Sequence, residues 1–117
     1  MFTIKECTTE FARCGECASR CKFVSDLPTH NRIFAFDEGG VRAVGVLGLE
    51  GGSVVFCGVY GTVNEAERDL ITRAVLNVCR GLNPITVKVK EQNAYFKQFG
   101  FVPDGNGMKI LNKDITF

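Results

Sequence analysis

The sequence predicts an α/β protein, a mixed, twisted sheet of six to seven strands with helices on both faces. Three observations carry this. Runs of alternating apolar and polar residues are separated by glycine pairs, at Asp37-Glu38-Gly39-Gly40 and Glu50-Gly51-Gly52, a pattern of strands joined by tight hairpins. An amphipathic segment follows Thr62, acidic early and basic late, the order that a helix dipole favours. The chain has 117 residues, 45% apolar and 23% charged, which fits one folded domain over 1–117.

Each element follows from local chemistry. Residues 2–7 alternate and read as a short strand. Thr8 and Thr9 offer a cap, and Phe11, Cys14, Ala18 and Cys21 recur at helical spacing until Leu27-Pro28 closes the segment. Ile33–Phe36, Val41–Leu49 and Ser53–Tyr60 then form an antiparallel meander. Thr62-Val63-Asn64-Glu65 fits a capping box, with Ala66, Leu70, Ala74, Val75 and Val78 as the buried stripe and Gly81 as the stop. Ile85, Val87 and Val89 alternate as the next strand, so the helix serves as a crossover between parallel strands. Asn93–Phe99 is a short helical stretch ended by Gly100. Phe101-Val102-Pro103 and Met108–Leu111 flank a hairpin turn at Asp104-Gly105-Asn106-Gly107. Six phenylalanines, Phe34, Phe36, Phe56, Phe96, Phe99 and Phe101, fall on these elements as core.

Charge is balanced, with 14 Lys plus Arg against 13 Asp plus Glu. No net field draws nucleic acid or anionic lipid, so neither is expected as a partner. Apolar runs stay far below the roughly 20 residues that span a bilayer, and the first residues carry no secretory pattern. A cytoplasmic location is expected. Nothing in the sequence sets an oligomeric state.

Cys7, Cys14, Cys17 and Cys21 are spaced C-x6-C-x2-C-x3-C. Buried free cysteine is common on a helix face, so core packing accounts for them. A thiol-based metal or redox sensor is the alternative, because thiolates bind zinc and Cys-x-x-Cys at a helix start lowers a thiol pKa.

Tyr95-Phe96-Lys97-Gln98-Phe99-Gly100-Phe101-Val102 resembles the C-terminal signature of the GNAT acyltransferases, and the element order resembles theirs across most of the chain. The resemblance implies an acetyltransferase moving an acetyl group from acetyl-CoA to the amine of a small molecule or peptide. The cofactor would lie where the ends of Ser53–Tyr60 and Ile85–Lys90 splay, because splayed strands leave backbone groups that an amide-bearing ligand can satisfy. Backbone at Cys57, Gly58, Val59 and Tyr60 would meet the pantetheine arm. Gly61, Thr62 and Asn64, with Arg68, would meet the pyrophosphate. Asn93 would be a further cofactor contact, its ordinary role being a helix cap. Tyr95 would supply the acid and Glu50 the base, with no metal.

The family carries a tyrosine where this chain has Phe96, and one residue along a helix is about 100° of rotation. Where relatives carry Arg/Gln-x-x-Gly-x-Gly/Ala, Gly61-Thr62-Val63-Asn64-Glu65-Ala66-Glu67 stands here. These departures motivate a rival reading, a GNAT-like fold without catalysis that acts as a binding or regulatory module.

Overall fold

A computed structural model describes residues 3–6 and 31–117. The elements are β1 (Thr3–Glu6), β2 (Asn31–Asp37), β3 (Val41–Glu50), β4 (Ser53–Gly61), helix α1 (Glu65–Arg80), β5 (Thr86–Val89), a 3-10 helix (Ala94–Phe99), β6 (Val102–Asp104), β7 (Gly107–Leu111) and a 3-10 turn (Asn112–Asp114). Seven strands form one sheet in the order β1-β2-β3-β4-β5-β7-β6. Neighbours are antiparallel except β4 and β5, which are parallel and joined through α1. The mixed sheet expected from the sequence is the one observed. The expected first helix, with Cys7, Cys14, Cys17 and Cys21, lies outside the described residues.

Burial follows the strand alternation. Phe34, Phe36, Ala43, Leu47, Val54, Phe56 and Val59 pack with Ile71, Val75, Leu76 and Cys79 of α1 in one core. On the opposite face Ile33, Ala35, Val44, Val46 and Val55 are buried as well. A sheet buried on both faces in β2–β4 is the reason β3 reads as a nearly continuous apolar run. Gly45 lets α1 sit close, since a Cβ there would stand 2.9 Å from Val75 Cγ2 and 3.1 Å from Ile71 Cγ2.

Helix α1 departs from the sequence expectation in two ways. Its cap is Asn64, not Thr62: Asn64 Oδ1 accepts from the Glu67 amide at 2.8 Å, and Glu67 Oε1 accepts from the Asn64 amide at 3.0 Å. Thr62 still belongs to the approach from β4, its amide donating to Arg42 O at 3.0 Å. The buried stripe is Ile71, Thr72, Val75, Leu76 and Cys79, while Leu70 is 38% exposed. Two apolar rows run along this helix, and the sheet takes the one that Gly45 admits.

The C-terminal end of α1 is held by Asn112, which is fully buried. Its Oδ1 accepts from the Ile85 amide at 2.9 Å, and its Nδ2 donates to the carbonyls of Cys79, Leu82 and Asn83 at 2.8, 3.1 and 3.2 Å. One side chain thus satisfies backbone groups of the helix end, the following turn and the entry to β5.

Candidate functional site

The site begins with a count of residues. Along β3 and β4, Val46 faces Gly58 but Leu47 faces Phe56, so Cys57 is an extra residue, a β-bulge. Gly58 takes φ +132°, a conformation that side-chain-bearing residues rarely adopt. A bulge bends its strand and raises the local twist. Strand β4 pairs with β5 only at Val54–Val87 and Val55–Lys88, yet continues to Gly61. The two parallel strands therefore diverge beyond Val55.

Two clefts open at the divergence. One, of about 770 Å³ on the α1 face, is lined by Val59, Glu65, Arg68, Asp69, Thr72 and Tyr95 among others. The second, of about 500 Å³, is lined by Glu50, Cys57, Tyr60, Val89 and Lys90. Phe56, Gly58, Glu91, Asn93 and Phe96 line both, so the clefts meet where the strands part. Phe96 stands edge-on to Phe56 and Phe101, with centroids at 5.9 and 5.4 Å, and walls the junction.

Tyr95 turns away from that junction. The segment is a 3-10 helix rather than an α-helix, with Asn93 Oδ1 accepting from the Tyr95 amide at 3.0 Å and Gly100 closing it at φ +101°. Three residues per turn separate Tyr95 and Phe96 by about 120°. Tyr95 Oη donates to Asp69 Oδ1 at 2.5 Å, and Asp69 Oδ2 pairs with Arg73 Nε at 2.9 Å. Arg73 continues to Gln98 Oε1 at 2.8 Å. Burial, then the Asp69 carboxylate, pushes the phenol well above the usual tyrosine range. Asp69 is held below the usual carboxylate range by Tyr95 and then Arg73. The sequence reading did not single out Asp69, although the Asp69-x-x-x-Arg73 spacing is the pairing geometry of a helix face.

The other candidates occupy definite places. Cys57 is half-buried, its Sγ 3.6 Å from Val55 O, and burial pushes its thiol up. Tyr60 Oη donates to Cys57 O at 2.8 Å, and burial raises its pKa. Glu50 pairs with Lys90 at 3.3 Å at the mouth of the second cleft. Gly61 lies against β3, where a Cβ would collide with Arg42 O. Arg68 Nη1 donates to Val59 O at 2.7 Å. No group of metal-ligating side chains is assembled among the described residues, and no helix among them is long and apolar enough to cross a membrane.

These groups fit one part of a coenzyme and not another. Val59 C=O accepts from Arg68, and a strand residue's N–H points the same way as its C=O. An amide-bearing arm laid along this side of β4 would meet the Val59 backbone there. The start of α1 does not suit a diphosphate. Two of the amides that a phosphate would need are filled by Asn64 and Glu67, and Glu67 is further pinned by Arg42 at 2.8 Å. Glu65 and Glu67 add like charge in the first turn.

The sheet order, the central crossover and the splayed pair define a GNAT-like α/β fold. Solved structures share it, among them the following three. The KacTA–DNA complex matches with TM-score 0.64 and 18% identity over 97% of this chain and 94% of its own. An AtaT mutant toxin bound to the C-terminus of the antitoxin AtaR and to acetyl-CoA gives 0.59 and 17%, over 96% and 94%. The ribosomal-protein-S18-alanine N-acetyltransferase of Escherichia coli gives 0.57 and 14%, over 93% and 88%. No family model and no curated protein matches in sequence.

These neighbours correct one expectation. The resemblance implied a small-molecule or peptide amine acceptor, and balanced charge implied no nucleic acid. The matched assemblies instead contain DNA in one case and an antitoxin protein in another, so that expectation does not stand. Net charge averages over the whole surface and is blind to a local docking face.

Proposed function

We propose that the protein is an acetyl-CoA-dependent N-acetyltransferase whose acceptor amine is carried by a macromolecule, protein or nucleic acid. The observation that supports this most directly is the divergence of β4 from β5, with Gly58 at the junction of two clefts on opposite faces of the sheet. Such a passage lets a donor enter from one face and an acceptor from the other. The coenzyme supplies a thioester-activated acetyl group when bound. Val59 offers backbone hydrogen bonds to an extended amide arm, as an added strand would receive them. Phe56 and Phe96 exclude water from the junction. Glu50, at the far mouth, takes the proton released by the acceptor amine, through water. Tyr95 acts by placement, because its hydroxyl already donates to the Asp69 carboxylate and its raised pKa opposes giving the proton up. Holding an amine against a thioester supplies much of the rate by orientation alone.

Two experiments test this. Calorimetric titration with acetyl-CoA should give micromolar binding. Incubation with labelled acetyl-CoA and either total RNA or a ribosomal protein fraction should move label into one acid-precipitable pool. Absence of coenzyme binding would sink the reading. It would favour a second one, a GNAT-like binding or regulatory module, which the filled amides of α1 and Phe96 at the junction support.

A further inference from the structure

Tyr60 stands where the second cleft meets the bulge of β4. Its ring lies along Gly58, with Cζ and Oη 3.5 Å from where a Cβ on that glycine would be. Gly58 lines both clefts, whereas Tyr60 lines the second. The half-buried side chain is fastened in place. Its Oη donates at 2.8 Å to the carbonyl of Cys57, the residue with no counterpart on β3. A phenol has one proton to give, and its oxygen also accepts. With that proton spent on Cys57 O, Oη meets any further group as an acceptor. The other polar groups of this cleft are placed differently. Asn93 Oδ1 is taken by the Tyr95 amide, Lys90 is paired with Glu50 at the mouth, and Glu91 is exposed.

We propose that the Tyr60 hydroxyl selects the acceptor by accepting one of its N–H bonds, and so restricts this chain to primary amines; the inference rests on the transferase reading above. A primary amine in the second cleft carries two hydrogens. As its nitrogen bonds the acetyl carbon and the carbon–sulfur bond breaks, one proton leaves through water to Glu50 and passes by way of solvent to the sulfur. The other stays on nitrogen in the product amide, held by Oη throughout. A secondary amine has a single N–H and must lose it, which leaves Oη against an alkyl group. A hydroxyl acceptor has the same deficit. Phe56 and Phe96 wall this junction, so water does not readily replace the missing bond, and a polar group stranded out of water discriminates against the analogue that strands it.

The chain has two tyrosines, so isotope labelling at tyrosine Cζ gives two carbon NMR signals, assigned with Tyr60→Phe or, should that variant not fold, with Tyr95→Phe. With CoA present, titration with n-butylamine should move the Tyr60 signal and leave that of Tyr95, and N-methylbutylamine should move it far less. This arm needs no turnover of either amine. With labelled acetyl-CoA, the wild-type chain should acetylate n-butylamine in preference to N-methylbutylamine. Tyr60→Phe should narrow that preference by about tenfold, the scale of one hydrogen bond, with CoA affinity unchanged. Glu91→Gln should leave the preference as it is. Equal movement of the Tyr60 signal by both amines, movement by neither, or a preference narrowed by Glu91→Gln and not by Tyr60→Phe overturns the assignment and leaves the transferase reading standing. Failure of the wild-type chain to bind CoA removes the transferase reading and this one with it, and is read before either amine is added.

Discussion

Helix α1 ends in two different ways. Its C-terminal end is buried and neutral, organised by Asn112 and its contacts with Ile85, Cys79, Leu82 and Asn83. Its N-terminal end is exposed and charged, closed by the reciprocal Asn64–Glu67 pair and braced by Arg42. The first is a device for stability, since a buried polar group left without a partner costs its full desolvation. The second sits in water, where each bond has a ready competitor. The exposed end is therefore where a ligand can intervene.

That contrast is open to direct challenge. Asn112→Ala should cost about 2–4 kcal/mol, from several stranded backbone groups and a cavity, read as a shift in urea midpoint; a loss below about 1 kcal/mol would deny Asn112 its role. Between the ends, Gly45→Ala should cost about 1–3 kcal/mol, because the new methyl meets Val75 and Ile71 and overpacks the helix–sheet contact. At the exposed end, Asn64→Ala should cost only about 1 kcal/mol, the ordinary worth of a cap.

A subtler difference is in acid. Hydrogen bonding from the Asn64 amide, then Arg42, holds Glu67 below its ordinary value of 4.5. A depressed carboxylate contributes stability that is fully present above pH 4.5 and lost as pH falls through its folded value. Glu67→Gln should flatten that part of the stability–pH curve, and Asn112→Ala should not change its shape. Smallest of all, Cys79 is buried at the C-terminal end with its thiol pushed up to about 11. Peptide mapping after brief alkylation of the native protein should find Cys57 modified well before Cys79. Equal labelling would mean that this end opens as readily as the other.

The sequence disclosed what depends on near neighbours. Alternation and glycine pairs located the meander, Gly81 located the end of α1, and the aromatic run ending in Gly100 located the C-terminal segment. Two adjacent readings were degenerate. Thr62-x-x-Glu65 and Asn64-x-x-Glu67 both fit a cap, and only the hold of Arg42 O on the Thr62 amide decides between them. Two apolar rows run along α1, and the buried one is the row that packs over Gly45. Asn112 carried no local signal, because its side-chain partners lie 27–33 residues away. At the site, the glycine-bearing end of β4 was legible, whereas Arg68 on Val59 O joins a helix to a strand and leaves no trace in spacing.

The surplus residue at Cys57 has a consequence for how this chain can vary. Before it, even-numbered positions of β4 such as Val54 and Phe56 look toward α1; after it, odd-numbered ones such as Val59 do. Deleting that single residue would not merely shorten the strand. It would restore an unbroken alternation, with Val59 still facing α1 and Tyr60 still facing away, and so remove the bulge that bends β4 where it parts from β5. Lineages descended from such a sequence are free to exchange what stands at position 57, but not to lose the position.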